Sequence, residues 1–251
     1  MKYTYYGWAI ALTALSACKT PLTISQVQPQ KNAKITQDIP EKKEFINVIT
    51  PYKKQMDDRM NSKISYTSVD LNKNGDNSTL GNLLADFTYE EANAWAKNNG
   101  LNKVDCAVIN IGGIRSTIGV GDILLRHVFE VMPFENEIVI MKMKGKDMAD
   151  LFDFYVKTQK NNPVSRLYIE TEGGILKNAL IQGKPLDSNR DYLVATSDFL
   201  ALGGDDMKFF AKGEMIATGI KMRDSFIESF KKNPEIKSNK DIRLNFIGKK
   251  N

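Results

Sequence analysis

Histidine is almost missing from this chain: His127 is the only one among 251 residues. Zinc and two-metal phosphoesterase centres draw heavily on imidazole ligands, so a self-contained His-built metal centre is excluded. Cysteine is nearly as scarce. Cys18 and Cys106 cannot make a disulfide framework or a Cys-rich metal site. Long apolar runs are missing too, since the stretch Ala9 to Leu15 is far short of the roughly 20 residues that span a bilayer. Charge of one sign is not concentrated: 35 Lys+Arg stand against 30 Asp+Glu, a net +5. The densest pairs (Lys42-Lys43, Lys231-Lys232, Lys249-Lys250) sit in polar segments, and no aromatic interleaving accompanies them. That describes a solvated, mildly basic surface and no nucleic-acid partner.

What is present supports a folded chain. Hydrophobic residues make up 42%, and with the 17 glycines the apolar content reaches the globular range of roughly 45–50%. The length suits one large domain or two small ones.

Residues 1–17 read as a signal peptide, with Lys2 ahead of a short apolar core. The core ends in Leu15-Ser16-Ala17-Cys18, which resembles the bacterial lipobox, where the cysteine thiol takes the lipid. Cys18 is therefore the expected lipidation site. The expected product is a bacterial membrane-anchored lipoprotein, periplasmic or cell-surface, held by acyl chains without a transmembrane helix. Residues 18–44 are rich in Gln, Lys, Thr and Pro and read as a tether. Residues 45–62 carry Phe45, Ile49, Tyr52, Met56 and Met60 at helical spacing, with a kink or restart expected at Pro51.

Residues 63–251 read as the folded domain. A helix capped by Asn77 or Ser78 carries Leu80, Leu84, Phe87 and Trp95, and Gly100 ends it. Strands are expected at 104–111, 137–144, 167–171, 176–182, 192–196 and around Leu244 and Phe246, with helices from Gly145 and over Ile220–Phe230. Strands and helices mix without a steady βαβ rhythm. The expected fold is an α/β (α+β) single domain of mixed β-sheet with packed helices, not a doubly wound one. Cys106, in an apolar strand-like run, reads as a buried inert thiol, and His127 as scaffold.

Four segments carry chemical potential. Asn110-Ile111-Gly112-Gly113-Ile114-Arg115 follows a strand. Paired glycines allow a close backbone approach, and a guanidinium can grip phosphate with two hydrogen bonds. Pro133-Phe134-Glu135-Asn136 presents an aromatic ring beside an amide. Phe199-Leu200-Ala201-Leu202-Gly203-Gly204-Asp205 sets a second ring beside a glycine turn and a carboxylate. Two aromatic faces can sandwich a flat base, and a carboxylate can accept from ribose hydroxyls. Leu80-Gly81-Asn82-Leu83-Leu84-Ala85-Asp86 opens a helix whose N–H groups favour anions.

In this order the four segments resemble the C-terminal, substrate-binding domain of the bacterial 5'-nucleotidase/UDP-sugar hydrolase family, from about Val48 to Gly248. The resemblance implies that Phe134 and Phe199 stack on the nucleobase and that Asp205, behind Gly203 and Gly204, binds ribose. It implies that Asn136 contacts the nucleoside, and that Arg115 and Asn110 lie by the phosphate to be cleaved. It also implies a metallophosphoesterase domain holding two divalent metals, which the scarcity of histidine places on a separate partner protein and not here. No cofactor is therefore expected on this chain.

Three departures stand out. Ile111 replaces a glycine and Glu135 replaces another. The family has a further phosphate-binding arginine several residues before Leu-Gly-Asn, and here the stretch Leu71–Asp76 contains only Lys73. The expected function is the nucleotide- or nucleoside-binding half of a 5'-nucleotidase-type phosphohydrolase. The alternatives are a non-catalytic nucleoside- or nucleotide-binding lipoprotein and a structural one whose pocket no longer binds.

Overall fold

The computed structural model describes residues 24, 26–36, 39–237 and 241–249. The chain divides into two units, residues 1–48 and 49–251. Within the first, the described residues lack regular structure up to Lys42, and helix α1 (Lys43–Met60) begins there. Against expectation α1 runs through Pro51 as one helix. Proline removes an N–H and frees the carbonyl four residues back, but α1 buries none of its residues, so water can solvate that group.

The second unit is built on a strand buried on both sides. β4 (Glu137–Lys144) alternates Ile138 and Ile140 with Val139, Met141 and Met143. Successive side chains of a strand face opposite ways, and here both directions lead into a core. Ile138 and Ile140 join one hydrophobic cluster, and Val139, Met141 and Met143 join the other. Its neighbours split in the same manner. β2 (Cys106–Val108) and β9 (Asp191–Ser197) send Ala107, Leu193 and Ala195 to the first cluster and Cys106, Val108 and Val194 to the second. Coverage of both faces explains why these segments read as nearly unbroken apolar runs.

The central sheet has the order β10-β4-β9-β2-β5, with β5 at Val164–Ser165 and β10 at Glu214–Lys221. β2 and β9 run parallel and the other neighbours antiparallel. One face packs on α2 (Thr79–Asn98), α3 (Leu125–Val131) and α6 (Met222–Lys232), where Phe87 and Phe230 meet edge to face at 5.3 Å. The other face packs on α4 (Gly145–Thr158) and on a second sheet of order β11-β6-β7-β8. That sheet comprises β6 (Leu167–Glu172), β7 (Ile175–Ile181), β8 (Lys184–Pro185) and β11 (Leu244–Ile247). β1 (Lys63–Thr67) pairs antiparallel with β3 (Gly121–Leu124). This is the expected mixed α/β domain.

Two expectations need correction. Ile220 lies in β10, not in the following helix, which starts at Met222. β10 is a half-exposed edge strand whose register slips at Thr218-Gly219, so its alternation is weak and helix-like spacing from Ile220 prevails in the sequence. The strand expected over 104–111 is regular only at 106–108, and its flanks bond instead to Leu193 and Pro163. Cys106 is fully buried, and desolvation pushes its thiol far above the ordinary range. The His127 ring serves α3: its Nδ1 accepts from the Leu124 N–H at 3.2 Å.

Candidate functional site

The glycine turn that follows β2 is held from behind. Ile109 N–H donates to the Pro163 carbonyl at 3.0 Å, and Ile111 N–H to Asn162 Oδ1 at 3.0 Å. Asn162 is itself buried, and its carbonyl accepts from the Tyr155 hydroxyl at 2.9 Å. A Cβ on Gly113 would lie 2.9 Å from Asn110 Oδ1, so glycine is what lets the Asn110 amide fold over the turn. Gly112 lies between two side chains: a Cβ there would come 3.7 Å from Asn110 Nδ2 and 3.9 Å from Asp205 Oδ2. The third and first motifs therefore meet. Arg115 is pinned at its backbone to the Val131 carbonyl at 2.8 Å, and its guanidinium donates to the Gly112 carbonyl at 3.2 Å.

Phe199 opens the short helix α5 (Asp198–Ala201) beyond β9, where Ser197 Oγ caps by accepting from Leu200 N–H at 3.2 Å. Its ring packs against Gly204, where a Cβ would sit 2.5 Å from the ring. Gly203 is left-handed at φ +92, and Asp205 and Asp206 follow with φ 50 and 66. Two successive non-glycine residues in that region cost on the order of 1–3 kcal/mol each, and such strain gathers at binding sites. Lys160 Nζ ties the turn down through the Asp205 carbonyl at 3.2 Å. The Asp205 carboxylate itself has no hydrogen-bonding or ionic partner among the described residues.

Phe134 stands on the loop between α3 and β4. It is 43% exposed and Phe199 44%, large apolar rings left in contact with water. Both border a cleft of about 350 Å³ lined by Asn110, Gly112, Gly113, Arg115, Met132, Phe134, Asn136, Phe199, Asp205 and Met222. Six of the expected site residues thus share one cleft, and Gly203 and Gly204 shape the turn beside it. Cys18 lies outside the described residues. The buried Met132 and Met222, which give the cleft apolar lining, were not singled out from sequence, nor was Asn162. Methionine at helical spacing looks like any core position, and Asn162 acts through a backbone bond that no motif announces.

The remaining expectations fare differently. The helix start at Leu80–Asp86 is not an anion site. Ser78 Oγ accepts from Gly81 N–H at 3.1 Å, Asn82 is buried, and Asp86 pairs with Arg243 at 2.7 Å. Those groups join α2 to the end of the chain. Glu135 does not line the cleft, because its carboxylate forms an ion pair with Arg223. Lys73 Nζ is engaged by the Ile114 carbonyl at 2.8 Å. Among the described residues no group of three or more His, Cys, Asp or Glu could hold a metal ion, so the donor set does not fit a two-metal centre.

Comparison with known proteins agrees with this architecture. Residues 57–212 match the 5'-nucleotidase C-terminal domain, and the chain belongs to that family. It is 32% identical over 185 residues to Protein UshA of Yersinia enterocolitica, covering 68% of this chain and 31% of that protein. It is 28% identical over 222 residues to the 5'-nucleotidase of Vibrio vulnificus, covering 82% and 37%. The chain thus spans about a third of the length of these relatives. Among solved structures, the 5'-nucleotidase precursor from Thermus thermophilus superposes with a TM-score of 0.69 at 25% identity, covering 84% of this chain and 44% of that one. The NAD nucleotidase of Haemophilus influenzae has the same fold, with a TM-score of 0.63 at 20% identity over 82% and 41%. The family match stops at Lys212, yet β10 and β11 beyond it complete the two sheets and α6 covers one face of the first.

Proposed function

We propose that this chain is the nucleotide-binding specificity half of a 5'-nucleotidase-type phosphohydrolase, working with a metallophosphoesterase carried on a separate protein. The observation that carries the reading is the pairing of two half-exposed phenylalanine rings with a carboxylate that has no partner among the described residues, at one cleft. Phe134 and Phe199 sandwich the base, where stacking is worth about 1–3 kcal/mol per base. Asp205 accepts from the ribose hydroxyls, and Asn136 reads the nucleoside edge. Asn110 and Arg115 receive the phosphate, stabilising charge on its oxygens. Gly203 and Gly204 keep the turn open for the Phe199 ring. The metals belong to the partner, because the donor set of this chain does not suit them.

Residues 1–17 and Cys18 make the protein a lipoprotein in this reading, with residues 18–44 as the tether that holds residues 63–251 off a bacterial membrane. It then works in the periplasm or at the cell surface. Metabolic labelling with a fatty acid, lost in Cys18→Ala, checks the anchor.

The functional test is hydrolysis of AMP and of a UDP-sugar by the chain, by a candidate metallophosphoesterase, and by their mixture with divalent metal. The mixture should be faster than either component. A mixture no faster than the partner alone sinks the enzymatic half of the proposal. A second reading, a nucleoside-binding lipoprotein without chemistry, is favoured by the engaged cations: Arg115 donates to Gly112 and Lys73 to Ile114. It predicts adenosine binding by calorimetry with no rate gain for any phosphoesterase.

A further inference from the structure

Three consecutive residues at the junction of β10 and α6 grip the loop that carries Phe134. Lys221 Nζ donates to the Glu135 carbonyl at 3.3 Å, and Met222 N–H to the Asn136 carbonyl at 2.9 Å. Arg223 does most. Its guanidinium lies 4.5 Å from the centre of the Phe129 ring, with only 12% of the side chain exposed. Nη1 donates to the Pro133 carbonyl at 3.2 Å and to the Phe134 carbonyl at 3.4 Å, and Nη2 meets the Glu135 carboxylate. Nε is buried with no hydrogen-bond partner among the described residues, so the two terminal nitrogens carry the whole interaction.

We propose that Arg223 is the positioning residue of the Phe134 wall, and that its charge offsets Glu135 so that the cleft accepts an anionic ligand. The inference rests on the nucleotide-binding reading above and adds a residue that touches neither base nor phosphate. A ring on a loose loop must be ordered when a base stacks on it, and that ordering opposes binding. A planar fork that holds two successive carbonyls does the ordering beforehand. The second effect is electrostatic. Glu135 stands next to Phe134 on the loop that forms one wall of the cleft, and unpaired it would oppose a phosphate but not an uncharged nucleoside.

The two effects separate by experiment. Adenosine and AMP binding are measured by calorimetry on the full chain and on Arg223→Gln, Arg223→Lys, Glu135→Gln and the double variant Arg223→Gln/Glu135→Gln. Hydrogen exchange of the two bonded amides that anchor this loop, the Met132 N–H on the Val128 carbonyl and the Met222 N–H on the Asn136 carbonyl, is followed without ligand, with thermal melts confirming that each variant folds. Arg223→Gln should speed exchange in that loop about tenfold. It should weaken adenosine about fivefold through the lost ordering. AMP should lose a further factor of about three, the modest size expected for an exposed carboxylate. The double variant should recover the wild-type ratio of AMP to adenosine affinity while keeping the common loss. Arg223→Lys should keep the ratio and lose the loop protection, because an ammonium cannot fork between two carbonyls. Equal losses for the two ligands in Arg223→Gln, or a double variant that does not restore the ratio, overturns the charge role. Unchanged exchange overturns the positioning role. A wild-type chain that binds neither ligand removes the nucleotide-binding reading and the charge role with it, and the exchange measurement then decides positioning alone.

Discussion

Two clefts of this domain differ in what they leave unsatisfied. The larger, about 540 Å³, is bordered by Asp86, Glu90, Arg166, Tyr168, Gln182 and Arg243. Its central charges are already spent on the fold. Arg243 binds both Asp86 oxygens at 2.7 and 2.9 Å and also donates to the Val164 and Asn82 carbonyls. Ser165 Oγ adds a bond to Asp86 at 2.6 Å. The smaller cleft keeps two wet aromatic rings and a carboxylate without a partner among the described residues. Unmet contact capacity, more than volume, marks the place where a ligand gains by arriving. Polar groups that satisfy one another stabilise the protein instead.

Substitutions sharpen the contrast. Asp86→Ala should have the largest effect and act on stability. It strands a guanidinium that is nearly buried, and breaking such a pair typically costs about 3–5 kcal/mol. With Asp86 partly exposed, about 3 kcal/mol is expected from urea unfolding. A loss below about 1 kcal/mol would show that the Asn82 and Val164 carbonyls suffice to hold Arg243, and the account of the larger cleft would fail. Phe199→Ala should do the reverse. It leaves the unfolding midpoint nearly unchanged, because the ring is half exposed, and weakens adenosine by about 10- to 100-fold through lost stacking.

The same contrast separates what was legible in the sequence from what was not. β4 could be read because both its faces are covered, so its apolar run is unbroken from Ile138 to Met141. β10 could not, because an edge strand with a slipped register loses its period. The Asn110–Arg115, Phe134 and Phe199 segments were legible because glycine and aromatic residues at loops need a reason to be there. The Leu80–Asp86 segment looked equally functional, and only the arrival of Arg243 from 157 positions later shows it to be structural. Arg223 escaped for a related reason. A surface-like arginine in an amphipathic helix carries no sign that its fork lies under a loop 89 positions earlier.

Gly204→Ala tests the shape of the smaller cleft more gently. The added methyl meets the Phe199 ring at 2.5 Å and the Phe199 carbonyl at 2.6 Å, so the ring must turn and the backbone must shift. Overpacking of this kind costs about 1–3 kcal/mol where neighbours cannot give. The ring can swing toward solvent but the Phe199 carbonyl cannot, so the cost should fall on stability as well as on binding. Adenosine affinity should drop about three- to tenfold, with a stability loss of about 1–3 kcal/mol. Wild-type affinity in this variant would mean that the Phe199 orientation does not matter to the ligand.

The smallest expected effect belongs to the larger cleft. Partial desolvation by its neighbours, and then the Asp86 carboxylate beside it, hold the Glu90 carboxyl above the ordinary carboxylate range, while Arg166 and Lys232 pull the other way. A raised carboxyl keeps its proton in the folded state to a higher pH than in the unfolded chain. Between those two values the folded state binds more protons, so this group lowers stability as pH rises. Below the unfolded value the effect vanishes, and above the folded value the deficit is complete. Glu90→Gln removes this effect, so the variant should match the wild type at about pH 4 and exceed it at about pH 7. The side chain is exposed at the rim and screened by water, which limits the gain to under about 0.5 kcal/mol. Urea titrations at several pH values read the difference directly. A Glu90→Gln variant less stable than wild type at neutral pH would mean that the carboxylate is a favourable partner of Arg166, and that the larger cleft is satisfied more completely than its two facing carboxylates suggest.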